Sequence, residues 1–162
     1  MDRNGELMSF SDDLQAAKNA AVPFVDVNVM LAGNLHTLRF RQMNGLDWND
    51  AVDRHPLRPG VAYDSQYGYN LRTLTRYVAR KCGARLVDGK EVPLRVDPID
   101  PEDPDAERVD EWADLFAALT GHFEGKIGDA IYNLNEYQSH VAVAKAQEQL
   151  KKARTGSGKS SA

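Results

Sequence analysis

The clearest pattern in the chain is an alternation of apolar and polar residues close to its beginning. Apolar side chains occupy every second position from Val25 to Leu31, which is typical of a strand with one buried face. The alternation resumes around Leu38 and Phe40, after the dipeptide Gly33-Asn34. Glycine and asparagine between two such runs predict a tight β-hairpin. Because a lone hairpin is marginal in water, we expect its apolar face to pack on the rest of the chain.

Helical spacing follows the hairpin. A short helix is predicted before Pro56, capped by Asn44 or Asp47, and the stretch 57–70, which contains three tyrosines, is predicted to be a loop. Asn70 is a suitable N-cap for a helix over residues 71–82. Gly83 is then expected to end this helix in the left-handed conformation that glycine tolerates.

The second half of the chain begins with a short predicted hairpin around Asp88-Gly89, whose second strand Pro93 restricts to an edge position. A helix is predicted to start at Asp103-Pro104 and to end at Gly121. From Phe123 onward, apolar residues keep helical spacing, which predicts one long final helix.

Together these elements predict an α+β fold: a mainly α-helical domain with an N-terminal β-hairpin and a long C-terminal helix. Residues 1–22 are expected to be a flexible segment that can form a short helix capped by Ser11. Residues 23–140 form the single globular domain. Residues 141–162 are predicted to be a basic helical extension followed by a disordered tail rich in glycine, serine and lysine.

Composition narrows the classes of function. The chain has 162 residues, 27% of them charged, and a formal net charge of -4. The negative charge argues against general nucleic-acid binding. No stretch approaches the ~20 apolar residues that cross a bilayer, and residues 1–15 lack the apolar segment of a secretion signal. We therefore expect a cytoplasmic protein without nucleic-acid or membrane partners.

Residues of the types that often take part in catalysis, metal binding or phosphate binding are scattered along the sequence. The single cysteine, Cys82, lies near a predicted helix end and is expected to be a packing residue. Gly158-Lys159-Ser160 is similar to the end of a phosphate-binding loop, but a helical segment precedes it where that loop needs a strand. The four histidines follow no zinc-ligand spacing; they are His36, His55, His122 and His140.

An acidic segment is the strongest local charge feature. Nine acids and one base, Arg108, lie between Asp97 and Asp114. The segment lacks the pattern of a calcium-binding loop. The separation of a glycosidase-type carboxylate pair cannot be read from sequence, so the favoured interpretation is a solvated linker. No catalytic residue, cofactor site or metal ligand is predicted, and we expect a binding or assembly protein that is not an enzyme.

A basic stripe is the best sequence candidate for partner binding. Arg72, Arg76 and Arg80 recur at i, i+4 and i+8 on the predicted helix 71–82. They could dock an acidic protein helix, or they could form a solvated face or pair with the acidic segment of the same chain. Tyr67 is expected to be an exposed tyrosine and a second contact residue.

The order of the elements resembles that of the tail assembly chaperones of long-tailed (siphovirus-type) bacteriophages, especially phages of actinobacteria. The resemblance covers residues 24–137. It is carried by the hairpin at 25–45, the Trp and His-Pro stretch at 46–60, the helix at 69–83, and the later stretch with Trp112 and Leu134-Asn135.

The resemblance implies a small, mostly helical, self-associating protein without catalysis. Such chaperones bind the tape measure protein, a very long helical polypeptide, before the tail tube polymerises around it. They act in the host cell cytoplasm and are absent from the mature virion. A long amphipathic chain exposes apolar surface and aggregates unless it is covered, which explains why such a chaperone is needed.

The resemblance also implies an optional longer form made by ribosomal frameshift, whose extension recruits tail tube protein. Ser157-Gly158-Lys159 can be encoded by a run of G and then A bases on which ribosomes slip, so we expect the frameshift there. The alternative to a chaperone is a structural head–tail connector or minor tail protein that remains in the virion.

Overall fold

The computed structural model describes residues 9–159, which build a four-stranded antiparallel sheet in the order β1-β2-β3-β4 with helices packed against it. The predicted α+β fold, with its early hairpin and long final helix, is confirmed. The elements in chain order are α1 (Phe10–Asn19), β1 (Phe24–Leu31), β2 (Asn34–Arg41), α2 (Gly45–Asp53), α3 (Ala62–Tyr67), α4 (Leu71–Cys82), β3 (Gly83–Val87), β4 (Lys90–Val92), α5 (Glu111–Ala118), α6 (Gly121–Tyr132), a π-helical turn (Asn133–Tyr137) and α7 (Gln138–Lys159).

The predicted hairpin is confirmed, with its turn displaced by one residue. Strands β1 and β2 pair from Phe24–Arg41 to Leu31–Asn34, so the two-residue turn is Ala32-Gly33 and Asn34 already belongs to β2. Both turn residues have positive φ, 49° for Ala32 and 79° for Gly33. Two successive positive φ values define the turn whose twist suits a hairpin, and here alanine occupies the first of them.

The core lies between one face of the sheet and helices α4, α5 and α6. Register partners share a face, so the buried side chains of Val27, Val29, Leu38 and Phe40 form one apolar surface. The helices cover it with fully buried side chains that recur at helical spacing, namely Leu71, Leu74, Val78, Ile127 and Ile131. The hairpin therefore obtains the packing partner that its apolar face requires.

Gly83 has a different role from the predicted one. Its backbone is extended (φ -99°, ψ 152°) and it begins β3, so it is not a left-handed helix end. A Cβ atom at this position would lie 2.7 Å from the Trp112 ring, 2.9 Å from the Phe40 ring and 2.6 Å from the carbonyl oxygen of Ala79. Glycine is required because α4, β2 and α5 meet here without room for a methyl group.

Helix α5 begins later than the sequence predicts, at Glu111, with Asp110 as its N-cap; Gly121 begins α6 and does not end α5. The chain before α5 stays extended because Val96 pairs with Asp110 and because Asp97 accepts a hydrogen bond from the amide of Val109 (3.1 Å). A helix that started at Asp103-Pro104 would need the Val109 amide for its own hydrogen bonds, and here that amide donates to Asp97 instead.

Three smaller expectations are also corrected. Helix α1 is capped by Ser9, whose hydroxyl accepts the amide of Asp12, and not by Ser11. The loop predicted at 57–70 contains the short helix α3, which ends at Gly68 in the left-handed conformation (φ 84°). Helix α7 continues to Lys159, so the predicted disordered tail is helical up to that residue. The expectations for residues 1–8 and 160–162 lie outside the described residues.

A π-helical turn joins α6 to α7. The Gln42 side chain donates to the carbonyl of Leu134 (2.7 Å), and Asn135 accepts the backbone amide of Met43 (3.0 Å). The inserted residue of a π turn leaves backbone groups out of the regular ladder, and here the Gln42 side chain supplies a donor for one of them, the carbonyl of Leu134. Up to residue 156, Leu134 is the last buried residue, and every residue from 137 to 156 is exposed.

Candidate binding groove

The basic stripe is partly engaged within its own chain. Arg80 makes a two-pronged contact with the carboxylate of Asp110 (3.0 and 2.9 Å), and Arg76 contacts Glu124 at 2.8 Å. The guanidinium of Arg72 packs 4.5 Å from the ring centroid of Tyr63. The pairing with the acidic segment, expected as an alternative, is what the structure shows for Arg80, so the stripe is a weaker candidate for partner binding.

Tyr67 is half-buried, so the expectation of an exposed contact residue is wrong for it. Its ring packs edge-on against Tyr132 at 4.9 Å and against Tyr63 at 5.3 Å, and it lies 6.4 Å from Tyr69. Burial is the main reason why the pKa of Tyr67 is raised. Aromatic pairs of this geometry stabilise a core, and Tyr67 is best described as part of it.

A groove with a volume of about 480 Å³ lies beside the β1–β2 turn. Its floor is the sheet, and α5 and the segment after β4 form its sides. Apolar side chains that line it are Val29, Leu31, Leu38, Leu94 and Leu115. We call this feature the hairpin groove.

Two polar residues at inward-facing positions keep this end of the sheet uncovered. Arg85 is the register partner of the buried Leu38, so it shares the core face of the sheet. His36 is the register partner of the buried Val29 and lies two residues before Leu38, on the same face. Burying an unpaired guanidinium is costly, so a helix packed over this end would be destabilised.

The basic and acidic side chains of the groove lie on different elements. The sheet contributes the basic residues His36 and Arg85, while α5 contributes the carboxylates of Glu111 and Asp114. The helix is held in place by its cap, since Asp110 accepts the amide of Ala113 (3.0 Å) and binds Arg80. These contacts, the Arg80 hydrogen bonds first, lower the pKa of Asp110. An apolar floor between a basic side and an acidic side suits an amphipathic helix whose two edges carry opposite charge.

Sequence reasoning missed this groove. The sequence places Arg85 in the short hairpin around Asp88-Gly89, and it gives His36 no role in partner binding. The positions of His36 and Arg85 could have indicated the groove, because each lies on the core-facing side of its strand, where the alternation would place an apolar residue. The contact of the sheet with α5, however, joins segments about seventy residues apart, as between Phe40 and Trp112.

The described residues hold no cluster of metal-ligating side chains, and the pKa of the single cysteine is raised. Across residues 9–159, no three His, Cys, Asp or Glu side chains are placed to hold one metal ion. Burial raises the pKa of the Cys82 thiol to about 11, and the thiol donates to the carbonyl of Val78 (3.1 Å). A thiol with that pKa is a weak nucleophile at neutral pH.

Comparisons with known proteins assign no family to the chain. The chain matches no family model, no curated protein and no solved structure. None of the helices within residues 9–159 combines the length and the apolar character needed to cross a bilayer.

Proposed function

We propose that the protein is a tail assembly chaperone of a siphovirus-type phage and that it binds the tape measure protein in the hairpin groove. The observation that carries the proposal is the open apolar groove between a basic sheet and an acidic helix. The sequence resemblance to tail assembly chaperones over residues 24–137 supplies the identity of the partner.

The groove suits a helical client for physical reasons. Helix-in-groove recognition places apolar side chains at i, i+4 and i+7 into a trough and sets charges along its rim. Leu94 and Leu115 provide apolar contact, while Arg85 and Asp114 provide rim charges of opposite sign. A long helical client presents many such stripes, so many copies of a small chaperone cover it and prevent aggregation.

The proposal includes the other partners that the resemblance implies. Copies of the chain self-associate, and a frameshifted longer form recruits tail tube protein. Helix α7, which is exposed from residue 138 to 156, is the spacer between the domain and that extension. The protein acts in the host cell cytoplasm and leaves before the virion is complete.

Co-expression with a siphovirus tape measure protein tests the proposal. We expect the client to become soluble and to co-purify with the chaperone. Ala118 is exposed and lines the groove, so Ala118→Arg should fill the groove and reduce recovery of the client. Ala117 is an exposed alanine on the same helix that does not line the groove, and Ala117→Arg is the matched control.

Two outcomes contradict the proposal. Unchanged client solubility with no co-purification removes its main support. Stoichiometric amounts of the protein in mature particles identify a head–tail connector or minor tail protein in its place.

A further inference from the structure

We infer that helix α1 of one copy of the chain docks in the hairpin groove of a second copy. The inference goes beyond the proposed function, because it concerns the protein without a client and does not require the client to be a tape measure protein. It pairs two features of the same molecule: a helix whose apolar stripe is uncovered and a groove of complementary charge.

Helix α1 has an apolar stripe without a packing partner. None of its ten residues is buried by the described part of the chain. Phe10 is 78% exposed and Leu14 is 51% exposed, and with Ala17 they recur at i, i+4 and i+7 on one face. Isolated helices of this length are marginal in water, so a stable α1 requires a surface to cover the stripe.

The charges beside the stripe match those of the groove. At 100° per residue, Asp13 borders the Phe10–Leu14–Ala17 stripe on one side and Lys18 borders it on the other. The groove presents basic residues from the sheet and carboxylates from α5. One orientation of α1 therefore places Asp13 toward Arg85 and Lys18 toward Asp114, with the apolar stripe on the groove floor.

The occupant is a second copy because this helix and this groove are encoded together. Each copy offers one α1 and one groove, so the contact joins copies by exchange of an identical element, as in domain swapping. A client helix would compete with α1 for the same surface. Self-association then keeps the groove covered until a client displaces α1.

Sedimentation velocity on the full chain without a client tests the inference. Across about 1 to 300 µM, which brackets weak and moderate affinities, we expect concentration-dependent association. Phe10→Asp should weaken it by about tenfold or more, because a large apolar side chain loses its burial. Leu46→Asp is the matched control: Leu46 is 81% exposed in the first turn of α2 and should not affect association.

A peptide of residues 9–22 identifies the receiving surface. Labelled peptide should bind the Phe10→Asp protein, whose groove is free, and binding should be lost when Ala118→Arg is added but kept with Ala117→Arg. A charge exchange tests the orientation. Asp13→Arg should weaken association, and combining it with Arg85→Asp should restore it.

Three results would overturn the inference. The wild-type chain could remain monomeric over the whole range, association could persist unchanged in Phe10→Asp, or the peptide could bind equally well to the Ala118→Arg protein. Failure of the tape measure experiment leaves these outcomes unaffected, because no client is present in them.

Discussion

The two ends of the sheet are built in opposite ways. At the end near β3's first residue, Gly83 brings the backbone so close to Phe40 and Trp112 that a methyl group cannot fit. At the end near the β1–β2 turn, His36 and Arg85 occupy core-facing positions and leave a groove of about 480 Å³. Both ends belong to the same face of the same strands.

The difference shows how a small domain divides its apolar surface. Close packing at one end contributes stability, because adding or removing a methyl group there lowers the free energy of unfolding. At the open end Val29 and Leu38 are buried in the same core, and it is the exposed residues around the groove, such as Arg85 and Ala118, that contribute little to stability. Substitutions at the two ends should therefore separate stability from binding.

The largest expected effect is at the packed end. Phe40 is fully buried, with its ring centroid 6.2 Å from that of Trp112. We expect Phe40→Ala to lower the free energy of unfolding by about 4 kcal/mol, because it leaves a cavity. Phe24→Ala is the control: Phe24 is 48% exposed under the Arg39 guanidinium and should cost about 1 kcal/mol. Equal losses in urea titrations would contradict the comparison.

Gly83→Ala should come next, with a loss of about 3 kcal/mol, because its methyl group would overlap the Trp112 ring and the Ala79 carbonyl. Gly125→Ala provides a control of opposite sign. Nothing lies within 4 Å of a Cβ atom at Gly125, which is inside α6, so alanine should stabilise the helix by about 0.5 kcal/mol. Thermal unfolding of both variants measures the difference, and a neutral Gly83→Ala would show that the packed end can relax.

The Arg80–Asp110 pair, which secures α5 between the two ends, should show a smaller and pH-dependent effect. The pKa of Asp110 is below its usual value of 3.8 in the folded protein, chiefly through the Arg80 hydrogen bonds. The pair therefore stabilises the fold above the unfolded pKa, and this contribution is lost as the pH falls through the lowered folded pKa.

Arg80→Gln should thus cost about 1 kcal/mol at pH 7, since the guanidinium is partly exposed. The difference from wild type should shrink in acid. Urea unfolding at several pH values, within a double-mutant cycle with Asp110→Asn, measures the coupling. A difference that does not change with pH would mean that the ion pair is not its cause.

The smallest effect on stability is expected in the groove. Ala118→Arg and Ala117→Arg should each change the free energy of unfolding by less than about 0.5 kcal/mol, because both alanines are exposed. Only Ala118→Arg should reduce self-association and client recovery. A large loss of stability in Ala118→Arg would show that the groove is part of the packed core.

The sequence predicts those parts of the fold that depend on neighbouring residues. The β1–β2 alternation, the Asn44 and Asn70 caps and the Asp88-Gly89 turn all follow from local patterns and are present. The exact turn residues of the first hairpin do not follow, because alanine at positive φ is uncommon.

The groove depends on information that no local pattern contains. It arises because Leu38 pairs with Arg85 and because α5 lies beside them, and these contacts join distant segments. Similarly, the late start of α5 follows from the pairing of Val96 with Asp110. Arg80 could be identified as notable from its spacing, but its partner could not.

The π turn at Asn133–Tyr137 fixes how α7 is rotated about its own axis relative to α6. One additional residue in a helix turns everything after it by about 100° about the axis, so this insertion decides which way Val141, Val143 and Leu150 face. Gln42 and Met43 clamp the turn from the hairpin. Deleting a single residue there would leave the domain intact and point the whole C-terminal arm in another direction.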